Sequence, residues 1–255
     1  MHILRSDLAH GHELKGVVVV IDVLRSFSTA AYAFAAGAHA VVPAQSLEEI
    51  PALRTRYPHS ITAGARGGGV QVEGLDFGNS PSQVAGLDLS GMTLIQYTAG
   101  GVRGLIDCDH ATEVLAGSLV CARATAAYIQ RLEPATVTFV ITGLWTDRDG
   151  DEDHACADLI EAHLRGGPPD LGRFEERVRR SDFGRRFGDP AFAHLPLTDL
   201  DLCAAADRFG FAMPMRRTGD RLVIEPVALA ELPAASGQRP KRGPAPKDAV
   251  RLADD

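Results

Sequence analysis

Five consecutive apolar residues, Val17–Ile21, run straight into Asp22-Val23-Leu24-Arg25-Ser26. A stretch that is apolar at every position suits a strand buried on both faces, as in a parallel sheet covered by helices. The pattern then changes period. Residues 28–36 are Ala-rich with aromatics and predict a buried helix, with Gly37 at the C′ position. Residues 39–42 read as a short strand stopped by Pro43. Ser46, with Glu48 and Glu49 behind it, opens a predicted helix through Tyr57. Further strands are predicted at 61–63, 93–97, 111–115 and 137–142, and helices at 119–132 and 152–164. Gly166-Gly167-Pro168-Pro169 closes the last helix. This alternation predicts an α/β fold, a three-layer α/β/α arrangement around a mostly parallel or mixed central sheet; strand order is not legible.

The texture changes further on. Residues 170–212 are rich in Arg, Phe and Asp with helical spacing and predict a helical subdomain or flap, and 221–225 reads as a late strand. From about 232 onward Pro, Ala, Gly and Lys dominate, so the expected organisation is one α/β domain over 1–230 and a disordered tail over 231–255.

Charge narrows the function classes. A formal net charge of −7 opposes a general nucleic-acid-binding role, which needs a basic footprint. No apolar run reaches the ~20 residues of a membrane span, and no secretory leader pattern opens the chain, so a cytoplasmic protein is expected. Cys108, Cys121, Cys156 and Cys203 are scattered without a Cys-x-x-Cys pair, as expected of reduced thiols. Cys156 is read as a buried helical residue rather than an active thiol.

Four polar blocks follow predicted strands, where open α/β sheets bind ligands. In the first, Asp22 can hold a cation and Arg25 an oxyanion, or Asp22 and Ser26 simply cap the next helix; the two readings share one geometry, because helix amino ends attract anions. The second is Gly64-Ala65-Arg66-Gly67-Gly68-Gly69, followed by Gly74-Leu75-Asp76-Phe77-Gly78-Asn79-Ser80-Pro81. There Arg66 can clamp phosphate or sulfonate oxygens, Asn79 and Ser80 stand on a turn, and Pro81 suits the first position of a helix. The nucleotide P-loop is excluded, since Gly-Lys-Ser/Thr is missing. In the third, Thr98-Ala99-Gly100-Gly101, the Thr98 hydroxyl and the Gly100 amide can meet an anion. The fourth runs from Asp147 to Asp153 with five acids in seven residues, hard-oxygen ligands suited to magnesium or else acids complementing a helix dipole. It lacks the glutamate of a calcium loop. His154 and Asp158, four apart, are expected to pair on one helix face. Leu24 stands where a haloacid-dehalogenase-type phosphatase carries its second Asp, and no glycine fingerprint follows the first strand, so neither that class nor a nicotinamide-binding fold fits.

Taken in order, these blocks resemble the 2-phosphosulfolactate phosphatase, or ComB-like, family. The matching residues are Val19 to Ser26, Gly64 to Arg66, Gly74 to Pro81, the turn at Thr98 to Gly100, and Glu152 to Ala157. The resemblance covers roughly 15–165 and more weakly extends to about 226. It implies magnesium dependence, hydrolysis of 2-phospho-3-sulfolactate to sulfolactate and phosphate, and a place in coenzyme M biosynthesis. The chain departs from the family pattern at Ala65, where an acid is usual, at Ala99, within a turn that is commonly Thr-Thr-Asn-Gly-Thr, and at Asp158, where glycine is usual.

The expected activity is therefore magnesium-dependent hydrolysis of a small anionic phosphoester. Asp22, Arg25, Arg66 and Glu152 are the expected catalytic residues, and Ser26, Asn79, Ser80, Thr98 and Gly100 the substrate-binding ones. Mg2+ is expected on Asp22 with Glu152 or Asp153. Asp22 as a nucleophile stays open beside direct attack by water. Ala65 and Ala99 keep a second reading alive, a non-catalytic family member that senses a phosphate or sulfonate. The expected partners are a small phosphoester or sulfonate, with no nucleic acid and no membrane, and a homodimer is the default assembly.

Overall fold

The protein's computed structural model describes residues 1–145, 148–218 and 221–231; of the tail expected over 231–255, all but residue 231 lies outside them. In chain order the strands are β1 (His2–Asp7), β2 (Val17–Ile21), β3 (Ala40–Pro43), β4 (Ser60–Ala65), β5 (Thr93–Thr98), β6 (Glu113–Gly117), β7 (Thr136–Ile141), β8 (Leu144–Trp145), β9 (Arg148–Asp149), β10 (Phe211–Thr218), β11 (Arg221–Ile224) and β12 (Val227–Ala228). The helices are α1 (Ser26–Ala35), α2 (Ile50–Arg56), α3 (Pro81–Val84), α4 (Gly101–Asp107), α5 (Ala122–Leu132), α6 (Asp151–Arg165), α7 (Leu171–Arg180) and α8 (Leu197–Cys203). Among the described residues no helix is long and apolar enough to cross a membrane.

All five residues of β2 are buried, as their unbroken hydrophobicity requires. Val17, Val19 and Ile21 join Val137, Phe139 and Ile141 of β7 in one core, covered by α5, α6 and the helical segment beyond. Val18 and Val20 join a second core on the other face, with Phe27 and Tyr32 of α1 and Leu105 of α4. Segment 171–203 contributes Val178, Phe183, Phe187, Leu195 and Leu200 to the first of these cores.

The strands form one large mixed, mostly parallel sheet in the order β1-β7-β2-β6-β10-β11-β3-β5-β4, with β12 added to β10. Two parallel blocks, β1-β7-β2-β6 and β3-β5-β4, are joined through the antiparallel β10 and β11. The second block attaches by a single residue pair, Ile224 with Val41. In a flat sheet β2 and β5 would lie about 24 Å apart, five spacings of about 4.8 Å each. Yet the Gly101 amide, just past β5, lies 2.8 Å from a carboxylate oxygen of Asp22, just past β2. The sheet is therefore curled, and its two parallel blocks meet at their carboxyl ends.

Several elements differ from the sequence expectation for identifiable reasons. β1 precedes the first predicted strand. It is an edge strand with mostly exposed or half-buried residues, so it carries no burial pattern. β10 begins inside the segment expected to be helical and holds Pro214 in its middle. The Pro214 carbonyl accepts from the Glu225 amide at 3.3 Å, just beyond the last β10–β11 pair, Met215 with Ile224. The missing N–H therefore faces a point where the ladder has already ended, which makes a central-strand proline tolerable. α2 starts at Ile50, four residues late, because Pro51 favours the first turn, and Glu49 instead accepts from the Gln45 amide at 2.9 Å. Residues 119–121 form a 3-10 turn before α5. Gly37 and Gly166 end α1 and α6 with φ of +103° and +75°.

Phe139 is fully buried between β2 and α6, whereas Leu4 is 53% exposed on the edge strand. Phe139→Ala is expected to cost about 3–5 kcal/mol in urea unfolding and Leu4→Ala about 0.5 kcal/mol or less. Equal losses would contradict the placement of the core.

Candidate active site

The end of β2 is tied to two other strand ends by carboxylates. Asp22 accepts from the Ser26 amide at 3.0 Å through one oxygen and from the Gly101 amide at 2.8 Å through the other. Asp153, in the first turn of α6, accepts from the Val23 amide at 2.9 Å through Oδ1. Its Oδ2 takes the amides of Thr142 at 3.1 Å and Gly143 at 2.8 Å and the Thr142 hydroxyl at 3.2 Å. Asp22 thus fastens β2 to the turn after β5, and Asp153 fastens it to the turn after β7. Glu152, beside Asp153, is 2% exposed, and its Oε2 has no hydrogen-bond partner among the described residues.

Two glycines make room for these acids. A Cβ at Gly101 would lie 2.9 Å from Asp22 Oδ2, from the Phe27 ring and from Ser26 Cβ. A Cβ at Gly143 would lie 2.9 Å from Glu152 Oε1 and 3.0 Å from the Gly150 Cα. Neither position has space for a side chain.

Burial pushes all three acids toward the neutral form. Glu152 rises to about 7, against the pull of its own amide, the Ser181 hydroxyl and Arg148. Asp153 rises further above the usual range, because the negative charges of Glu152 and Asp22 add to its burial. Asp22 is raised by burial too, opposed by the Ser26 and Gly101 amides and more weakly by Arg148 and Arg25.

The three acids line a cleft of about 60 Å³ shared with Arg25, Ala65, Arg66, the Gly67–Gly69 turn, Asn79, Thr98, Gly100 and Arg148. Arg66 is exposed and, among the described residues, its guanidinium makes no hydrogen bond or ion pair, whereas its amide donates to the Val70 carbonyl at 2.9 Å. Arg25 is 3% exposed, and its guanidinium pairs with Asp199 at 2.6 Å and donates to the Gly69 carbonyl at 2.8 Å. Asn79 is buried, and its side-chain oxygen accepts from Gln96 at 3.4 Å. The Thr98 hydroxyl bonds the Ser26 hydroxyl at 2.8 Å and accepts from the Val102 amide at 3.1 Å.

Of the residues singled out in the sequence, Asp22, Arg25, Arg66, Asn79, Thr98, Gly100, Glu152 and Asp153 come together around this cleft. Ser26 and Ser80 stand behind its wall. The Ser26 amide orients Asp22, and the Ser80 hydroxyl donates to Asp199 at 2.9 Å. The acidic block divides: Asp151 pairs with Arg177, and Asp147 lies outside the described residues. Asp158 pairs with Arg5 and Arg177 instead of His154, because both arginines reach the same helix face. Cys156 is fully buried and burial holds its thiol well above the usual range, so it is not poised as a nucleophile.

Sequence reasoning missed Arg148, Thr142, Phe183 and Asp199. Arg148 lines the cleft from the β8–β9 hairpin, with its guanidinium 4.5 Å from the centre of the Phe183 ring. Its setting among acids drew attention to the carboxylates around it. Phe183 and Asp199 come from the segment read only as a flap, and no motif marks either.

A sequence model of the 2-phosphosulfolactate phosphatase family matches residues 3–185. The chain belongs to this family. A probable 2-phosphosulfolactate phosphatase of Bacillus subtilis (strain 168) is 29% identical over 223 residues, covering 86% of this chain and 96% of its own length. Probable 2-phosphosulfolactate phosphatases of Gloeobacter violaceus and Carboxydothermus hydrogenoformans are 34% and 32% identical, each covering 82% of this chain and 92% and 90% of their own lengths. The span of this 2-phosphosulfolactate phosphatase family member that the family model matches takes in every residue lining the cleft.

Glu152 binds its proton more tightly in the folded chain than in the unfolded one. Between its ordinary 4.5 and about 7, folding therefore takes up a proton, and stability falls as pH rises through that window. Cation-free protein is expected to melt at a lower temperature at pH 8 than at pH 6. Glu152→Gln, neutral throughout, should lessen that slope and melt above the parent at pH 8; a variant melting below the parent there would contradict the electrostatics.

Proposed function

We propose that this protein is a magnesium-dependent phosphatase acting on a small anionic phosphoester, with 2-phospho-3-sulfolactate the first candidate. One juxtaposition carries the reading. Asp22, with its oriented carboxylate, Glu152, with a buried oxygen that has no hydrogen-bond partner among the described residues, and the exposed Arg66 line one small cleft. The relatives, probable 2-phosphosulfolactate phosphatases, support the same substrate.

Among the described residues no group of three His, Cys, Asp or Glu side chains is able to hold a metal by itself. Magnesium does not require one, since it keeps several waters and takes one or two carboxylates together with substrate phosphate oxygens. Asp22 and Glu152 would hold it, the buried orphan oxygen of Glu152 being the donor that otherwise lacks a partner. Asp153, whose oxygens already accept from Val23, Thr142 and Gly143, orients the site from behind. When bound, the ion polarises a phosphoryl oxygen and acidifies water.

The chain's own groups bind and orient. Arg66 meets the phosphoryl oxygens, on which charge is spread during transfer, and Arg148 adds positive potential from the facing hairpin. A water oxygen attacks phosphorus and gives up one proton, the ester P–O bond breaks, and the departing alkoxide takes up one proton, so that one water is consumed per ester cleaved. Each Asp22 oxygen already accepts an amide hydrogen, which lowers its nucleophilicity, so the attacking group is water rather than Asp22. Rapid quenching with labelled substrate is expected to leave Asp22 unlabelled; a labelled acyl-phosphate there would reverse the assignment.

A second reading, a protein that binds the anion without consuming it, has one observation in its favour. The methyl group of Ala65 lines the cleft where the family pattern usually carries an acid. A phosphate-release assay over small phosphoesters separates the two. Turnover that EDTA abolishes and magnesium restores is expected, with Asp22→Asn at least about a hundredfold slower. A phosphoester that raises the melting temperature but is never cleaved would establish the sensor.

A further inference from the structure

Asp199 lies beyond the residues matched by the family model, which ends at 185. It is fully buried in the first turn of α8, yet its carboxylate reaches three segments around the cleft. Oδ2 pairs with the Arg25 guanidinium at 2.6 Å. Oδ1 accepts from the Ser80 hydroxyl and the Ser82 amide, each at 2.9 Å. α3 has four residues, and Ser80, at its N-cap position, makes no side-chain cap. The cap comes from Asp199, more than a hundred residues away in sequence.

Arg25 passes the constraint on. The same guanidinium that meets Asp199 donates to the Gly69 carbonyl at 2.8 Å and to the His194 carbonyl at 3.4 Å. The His194 ring lies 2.9 Å from the Gly68 carbonyl. Gly68 and Gly69 adopt φ of +74° and +83°, and a Cβ at Gly69 would lie 3.0 Å from the Arg25 guanidinium. Arg66, whose guanidinium has no partner among the described residues, opens this glycine turn, and Asn79 immediately precedes Ser80.

We infer that Asp199 is a positioning residue, one that acts through Arg25, Ser80 and Ser82 to set the Arg66–Gly69 turn and Asn79 against the bound anion. The inference rests on the phosphatase reading for its kinetic consequence, though not for the latch itself. A buried carboxylate is the suitable group, because one side chain must accept from a guanidinium, a hydroxyl and an amide at once. Arg25 in this arrangement is a strut with its charge matched by Asp199, and Arg66 carries the uncompensated charge toward the ligand.

The test uses the full chain with Asp199→Asn, Arg25→Gln and the double variant, each held well below its own melting temperature. Asp199→Asn keeps an acceptor for Ser82 but removes the charge facing Arg25. Its expected signature is a KM and an inorganic-phosphate Kd raised about tenfold with kcat within about threefold. The double variant should be no worse than its more damaged single parent, because one strut is lost in either case. Trypsin should also cut the Arg66–Gly67 bond about tenfold faster in Asp199→Asn, since the turn has lost its tether. Unchanged cleavage, unchanged KM and phosphate affinity, or single effects that multiply in the double variant would each overturn the inference. If the parent binds phosphate but hydrolyses no phosphoester, the phosphatase reading fails while cleavage and phosphate affinity still judge the latch.

Discussion

Holding the half-buried Asp22 beside the buried Glu152 and Asp153 is the constraint to which the rest of this fold answers. Each of the three is pushed toward neutrality by burial, and their negative charges add to one another. Such a cluster persists only where something compensates it. Backbone amides do much of this: those of Ser26 and Gly101 for Asp22, and those of Val23, Thr142 and Gly143 for Asp153. The amino end of the fifteen-residue α6 adds a favourable dipole beneath Glu152 and Asp153. One carboxylate oxygen, on Glu152, is left with no such partner. In the proposed function a cation beside that oxygen would supply the missing compensation and so link the stability of the site to its chemistry.

The curled sheet follows from the same contacts. Asp22 can accept from Gly101 only if the ends of β2 and β5 meet, and a flat sheet would keep them far apart. A single pair between β11 and β3 gives the second block the freedom to fold over, and α1 packs between the blocks, with Gln96 of β5 donating to the Ser26 carbonyl at 2.8 Å. Gly101 and Gly143 are the steric conditions of this meeting, since neither leaves space for a Cβ beside the acids. Opposite the acids, a buried ion pair between Arg25 and Asp199 fixes the loops that present Arg66. The cleft is thus acidic on one wall and cationic on the other, as suits an anion bridged to protein through a metal.

Much of this was legible in the chain. The Val17–Ile21 run announced a doubly covered strand, and Asp22 and Arg66 announced themselves by following strands. Glycine-rich turns marked places where backbone comes close to a ligand or to an acid. What stayed hidden was long-range pairing. Nothing local shows that Arg25, expected to meet an anion, pairs with Asp199. Ser80 is expected from the sequence to bind substrate, and nothing local shows that its hydroxyl donates to Asp199. β1 was invisible because an edge strand needs no apolar pattern, and β10 because Pro214 argues against a central strand unless its missing donor faces an ended ladder. The Ala65 departure, visible in sequence, proved to lie on the cleft wall itself.

The central claim is that the acids and Arg66 together form one seat for a cation and a phosphoryl group. A crystal structure of the protein grown with magnesium and soaked in inorganic phosphate tests it most directly. The account predicts a cation against Asp22 and the free oxygen of Glu152, with a tetrahedral anion between it and the Arg66 guanidinium. Saturating magnesium and phosphate bound elsewhere, with the Glu152 oxygen still unpartnered, would contradict it.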